Sequence, residues 1–173
     1  DSGLIVDILN AKTMEDVFRL LQGCSFLGSF LAYQYTIDMN YSPYINFSEN
    51  DFVKAGIGAI RGIKKCFLCY GNKCEDAIWY VKEHFNDLQK RYGYTSFHPL
   101  LGHEPTLIDL QNCFCETDKY LRAKMPELRI GNVRIKQKYM PHTDPIQFFF
   151  PPKWNIVEMY KYKPIVVPTL FDL

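Results

Sequence analysis

From Met14 to Lys124 apolar residues return at intervals of three and four, a recurrence that admits few folds other than a bundle of helices. The stretch MEDVFRLL (14–21) follows Thr13, which stands three residues before Asp16 as in a capping box, and Gly23 ends it. CSFLGSFLAYQYTIDM (24–39) sets Phe26, Phe30, Tyr33 and Ile37 on one face and reads as a buried helix. NYSPYINF (40–47) is broken by Ser42-Pro43 and reads as a loop. Ser48 is expected to cap a short helix, SENDFV (48–53), and a second helix runs over 59–69 until Gly71 and Asn72 stop it. Residues 74–92 predict one amphipathic helix with Ile78, Val81, Phe85 and Leu88 inward, closed by Gly93. Pro105 suits the first turn of a last helix reaching about Lys124, striped with Leu107, Leu110, Phe114 and Leu121. After Pro126 the texture changes. IGNVRIKQKYM (130–140) alternates like a strand or an extended arm, and FFFPPKW (148–154) and PIVVP (164–168) exclude regular helix. The expectation is an all-α domain of five or six helices over 1–125, with an extended C-terminal arm over 126–173.

A chain of 173 residues buries roughly two thirds of its unfolded surface and needs no metal or disulfide to do so. Aromatic residues make up 16% of the chain, a high share, so rings are wanted either for packing or for stacking. No apolar run reaches the length of a membrane span, and DSGLIVDIL is no secretory leader. The expectation is an intracellular domain, nuclear in a eukaryote, cut from a longer chain. Cys66-x-x-Cys69 with Cys74 hints at zinc, but no second ligand pair completes four at the usual spacing. Cys113 and Cys115 lie two apart on a helix and face different ways. Reduced thiols, with no cofactor and no metal, are expected.

Charge is balanced overall, with 20 Lys and Arg against 19 Asp and Glu, but it is not evenly spread. From Lys119 to Lys138 the chain carries Lys119, Arg122, Lys124, Arg129, Arg134, Lys136 and Lys138 against Glu127, a pattern fit for a phosphate-facing strip or a solvated edge. KAGIGAIRGIKKCF (54–67) adds a second cue. In a helix-hairpin-helix, two glycines two apart join short helices and let backbone N–H groups reach a DNA phosphate. Gly56, Ile57, Gly58 and Ala59 match that turn, and Arg61, Lys64 and Lys65 would reinforce an anion at the following helix N-terminus. An ordinary packing turn is the alternative.

The blocks FLAYQYTIDMNYSPY (30–44), NDFVKAGIGAIRGIKKCF (50–67), HPLLG (98–102) and TLIDLQNCFCETDKYLR (106–122) together resemble a family. It is the helical domain of alpha-glutamyl/putrescinyl thymine pyrophosphorylases, also called the helical domain of 5-hydroxymethyluracil DNA kinase. The resemblance covers residues 14–125 and implies a divergent helix-hairpin-helix DNA glycosylase-like fold acting on modified pyrimidines in DNA.

A site of that type extrudes a base and holds it between aromatic and polar side chains. Tyr33, Gln34, Asp38, Tyr41 and Tyr120 are the expected base pocket; Gln34 and Asp38 share a helix face and suit a pyrimidine edge, or else are buried partners of backbone groups. The family block makes Glu116 and Lys119 the expected catalytic pair ahead of Asp118, although their spacing equally fits a surface ion pair. His98 and His103 in the loop before the last helix are further candidates to line the cleft. Three classes of function remain open: a DNA-binding domain that reads a modified base, an enzyme of thymine hypermodification or base excision, and a protein-interaction domain that has lost DNA. No G-x-x-x-x-G-K-[ST] loop is present, which argues against an ordinary kinase in this chain alone.

Overall fold

The computed structural model describes residues 2–96, 103–129 and 150–154. Seven helices account for most of the first two stretches: α1 Ser2–Asn10, α2 Met14–Gln22, α3 Ser29–Asn40, α4 Ile57–Cys66, α5 Glu75–Glu83, α6 Phe85–Arg91 and α7 Leu107–Lys124. Short 3-10 turns follow at Pro126–Leu128 and Pro152–Trp154, and there is no strand among the described residues. The fold is all-α. The expected strand or arm over 130–140, the PIVVP stretch and the HPLLG block with His98 lie outside the described residues.

Local chemistry explains several helix starts. The Thr13 hydroxyl oxygen accepts the Asp16 amide at 3.0 Å while the Asp16 carboxylate accepts the Thr13 amide at 3.0 Å, closing the capping box of α2. A second box joins Thr106 and Asp109 and sets the start of α7 two residues beyond Pro105.

Other expectations need correction. The helix predicted from Cys24 begins at Ser29, because Phe26 adopts a left-handed φ of 66° that no right-handed helix can pass through. Phe26 is then fully exposed rather than buried. The predicted helix over 74–92 breaks at His84 (φ −107°, ψ 18°), whose ring stacks on Tyr80. Residues 48–53 form no helix. The Ser48 hydroxyl takes the Asn50 amide at 3.1 Å in a local turn, and Val53 and Ala55 run irregularly into the core. The turn before α4 therefore has a helix on one side only. α1 is an addition that the sequence reading did not foresee.

α4 packs along α7 in the most extensive helix contact of the fold, α2 lies against α3, α1 against α2, and α5 also meets α7. One hydrophobic core joins them through Met14, Val17, Leu21, Tyr33, Ile37, Ile63, Ile78 and Leu107. Small residues allow the α4–α7 approach. A methyl group on Gly62 would sit 2.8 Å from the Phe114 carbonyl carbon, and one on Gly58 would strike the Cys115 side chain. These two glycines, four apart on one face, act as a groove into which α7 settles.

Candidate nucleic-acid interface

The turn before α4 is built into this packing. The Gly56 amide points at Gln111 Oε1 on α7 at 3.4 Å, and a side chain at Gly56 would meet the Phe30 ring at 2.9 Å. Packing against Phe30, Cys115 and Phe114 thus accounts for the glycines' missing side chains. Beyond Gly56 the chain turns outward: Ile57 is 68% exposed and Gly58 half-buried, while Ala59 is in the core. Gly56 caps α4 without a side-chain hydrogen bond, so the first-turn amides keep the partial positive charge of a helix start.

The three cations expected beside that turn separate. Lys64 is exposed and Arg61 half-buried. Lys65 instead reaches inward and pairs with Asp118 of α7 at 2.6 Å, with side chains 4% and 1% exposed. Asp118 also meets Arg122 Nε at 3.0 Å, one turn on. Lys65 and Arg122 therefore neutralise a buried carboxylate and do not face a phosphate. Of the other basic residues expected in the strip, Lys119 pairs with Glu116 and Arg129 Nε donates to the Arg122 carbonyl at 3.1 Å. Arg134, Lys136 and Lys138 lie outside the described residues.

The pair expected to be catalytic, Glu116 and Lys119, sits on the solvent face of α7 as an ion pair three residues apart, and this contact raises the Lys119 ammonium above its ordinary value. Asp118, the alternative carboxylate, is the buried one. Tyr120 is exposed on the same α7 surface.

The expected base-pocket residues on α3 also divide. Tyr33 is a core residue, edge-on to Phe52, and burial pushes its phenol above the usual range. It cannot stack on an incoming base without unpacking the core. Asp38 is exposed, Gln34 half-buried with Nε2 unpartnered, and Tyr41 sits two turns after Gln34.

Tyr41 belongs to a ring cluster that the sequence did not indicate. Its ring meets Trp154 edge-on at 5.9 Å, and Trp154 stacks on His103 at 3.9 Å and 23°. The Trp154 indole N–H donates to Glu49 Oε2 at 2.7 Å; Glu49 is 8% exposed. Burial, with the Glu49 carboxylate beside it, raises the Tyr41 phenol well above its ordinary value. Lys153 Nζ donates to the carbonyls of Phe47 (2.9 Å) and Asn40 (3.2 Å), and burial lowers its ammonium. Asn40 clasps Phe47 through both main-chain groups, accepting at 2.8 Å and donating at 3.1 Å. The short segment 150–154 is thus fastened over the 41–49 loop, contacts that span more than 100 residues of chain and leave no local pattern to read.

All six cysteines are free, and no group of three metal-ligating side chains gathers among the described residues. No helix among them is long and apolar enough to cross a membrane.

A family model described as "5-hmdU DNA kinase, helical domain" matches residues 1–130. The chain belongs to this family. The match takes in α1 through α7 and therefore the whole α4–α7 pair, the turn at Gly56 and the α3 face bearing Gln34 and Tyr41. No curated protein and no solved structure matches the chain. Membership in the 5-hmdU DNA kinase helical-domain family ties the chain to DNA modification, and DNA is a plausible partner. Residues 150–154, which carry Lys153 and Trp154, fall beyond the matched stretch.

Proposed function

We propose that this domain binds DNA on behalf of a DNA-modifying enzyme and receives an extruded pyrimidine of the thymine or 5-hydroxymethyluracil type. The observation that carries the reading is the family match over residues 1–130. The start of α4 supports it: an exposed Ile57, first-turn amides with no side-chain cap, and Arg61 and Lys64 on the following turns make a surface attractive to a phosphate. Gln34 and Asp38 of α3 and Tyr41 at its C-terminal cap would meet the base. Binding is favoured over catalysis because Glu116 and Lys119 satisfy each other as an ion pair in solvent.

The test is fluorescence anisotropy of a duplex carrying 5-hydroxymethyluracil, titrated at several salt concentrations. Replacing Arg61 and Lys64 together by Ala should weaken binding and reduce the salt slope by about 2, one for each lost phosphate contact. A slope equal to that of the unaltered protein would overturn the phosphate grip.

A further inference from the structure

Trp154 is held in the manner of a bound heterocycle. Its ring stacks on His103 at 3.9 Å, is met edge-on by Tyr41 at 5.9 Å, and presents its one N–H to a carboxylate that is itself 8% exposed. A flat ring with an N–H aimed at a buried acceptor, clasped between aromatic groups, is also how an unstacked base is recognised.

Four buried polar atoms on Glu49, His103, Asn50 and Gln34 have no hydrogen-bond partner: Glu49 Oε1, the other oxygen of the carboxylate that takes the indole N–H; His103 Nε2, on the ring that stacks the indole; Asn50 Oδ1, next to Glu49 in the chain; and Gln34 Nε2, on α3. Buried polar groups ordinarily find partners, and the indole, whose one donor goes to Glu49 Oε2 and which has no acceptor, satisfies none of these four.

We propose that Glu49, Tyr41 and His103 form a binding site for a 2,4-dioxopyrimidine ring and that Trp154 fills it as an internal stand-in. The imide N–H of such a ring would take the place of the indole N–H on Glu49. His103 would stack on the face of that ring, as it stacks on the indole, and Tyr41 would meet its edge. Cytosine is disfavoured, because its ring nitrogen at the same position is an acceptor and would face the Glu49 carboxylate. Lys153 holds the stand-in in place through the Asn40 and Phe47 carbonyls, so a ligand must displace the 150–154 segment to enter. This assignment rests on the proposed reading of a DNA-modification domain and names the side chains that would meet the base.

The experiment titrates the full chain with 5-hydroxymethyl-2′-deoxyuridine and, separately, with 2′-deoxycytidine by isothermal calorimetry. Trp154→Ala should bind the first nucleoside about tenfold more tightly than the unaltered protein, since a site occupied by its own side chain loses affinity in proportion to that occupancy. The gain should be absent for deoxycytidine and should vanish when Glu49→Leu is added. A flat titration of folded Trp154→Ala protein, an equal gain for deoxycytidine, or a gain that survives Glu49→Leu would each overturn the site.

If Trp154→Ala does not fold, Lys153→Ala in a Trp79→Phe background serves instead, because it loosens the segment and leaves Trp154 as the one tryptophan. Nucleoside should then shift Trp154 emission to longer wavelength as the indole enters water, and an unmoved spectrum counts against the site. Duplex binding, measured through the Arg61 and Lys64 variants, fails or survives independently. Nucleoside silence with duplex binding intact removes this site alone, and nucleoside binding with an unchanged salt slope removes the phosphate grip alone.

Discussion

Lys65 of α4 and Asp118 of α7 form an ion pair at 2.6 Å that is almost wholly removed from solvent, and Arg122 closes on the other oxygen of the same carboxylate at 3.0 Å. Removing one member of such a set leaves uncompensated charge in a low-dielectric interior. Asp118→Asn should cost about 3–5 kcal/mol of stability, read as a lowered midpoint in denaturant titration. Glu116→Gln, which breaks only the exposed pair with Lys119, should cost about 0.5 kcal/mol. Equal losses would mean that the α4–α7 contact does not depend on the buried carboxylate.

Gly62 offers a second probe of the same helix pair. Ala there gains about 1 kcal/mol of helix propensity, yet its methyl group would press on the Phe114 main chain, which cannot rotate away. Gly62→Ala should be destabilised on balance by roughly 2–3 kcal/mol in thermal or chemical unfolding. Gly58→Ala meets the Cys115 side chain, and pairing it with Cys115→Ala should recover part of its loss, whereas no single side-chain change should rescue Gly62→Ala.

Glu75 predicts how stability varies with acidity. Burial raises its pKa, but the Ala55 amide at 3.0 Å and the Lys54 ammonium at 2.9 Å outweigh it and hold the carboxyl below its ordinary value of 4.5. A carboxyl depressed in the folded state stabilises it above the unfolded pKa, and this contribution is lost as pH falls through the folded value. Melting temperature should thus drop on acidification below about pH 4.5, and Glu75→Gln should flatten that limb while leaving the curve above it level.

The Asn40 clasp on Phe47 supplies a fourth expectation. Asn40 is buried, and both of its amide atoms serve the Phe47 main chain. Asn40→Ala orphans a backbone donor and should cost about 1–3 kcal/mol. Because the Phe47 carbonyl also holds Lys153, the same variant should raise Trp154 fluorescence quenching by acrylamide. Unchanged quenching would show that the segment is anchored without the clasp.

The helical class and the capped start at Thr13 were legible in the sequence, because periodicity and capping are local signals; the Thr106–Asp109 box is equally local, but Pro105 reads as the first turn of a helix that it in fact precedes. The break at His84 and the left-handed Phe26 were not, since neither residue is a usual helix breaker. Gly56 and Gly58 match an anion-binding turn by their spacing, but the pair with the larger packing role is Gly58 and Gly62, whose spacing of four places them on one helix face. Tyr33 fitted a base pocket by residue type, and its period placed it equally well in the core, where it lies. Glu49, Lys153 and Trp154 come together only through contacts across more than 100 residues, beyond the range of any local pattern.

The stretch shared with the family ends at residue 130, yet Lys153 and Trp154 are fastened onto Asn40, Phe47 and Glu49 well inside it. Ancestry and mechanics thus draw the domain's edge in different places. A truncation guided by kinship would shear off two anchors, baring two carbonyls and a carboxylate that the intact chain keeps roofed.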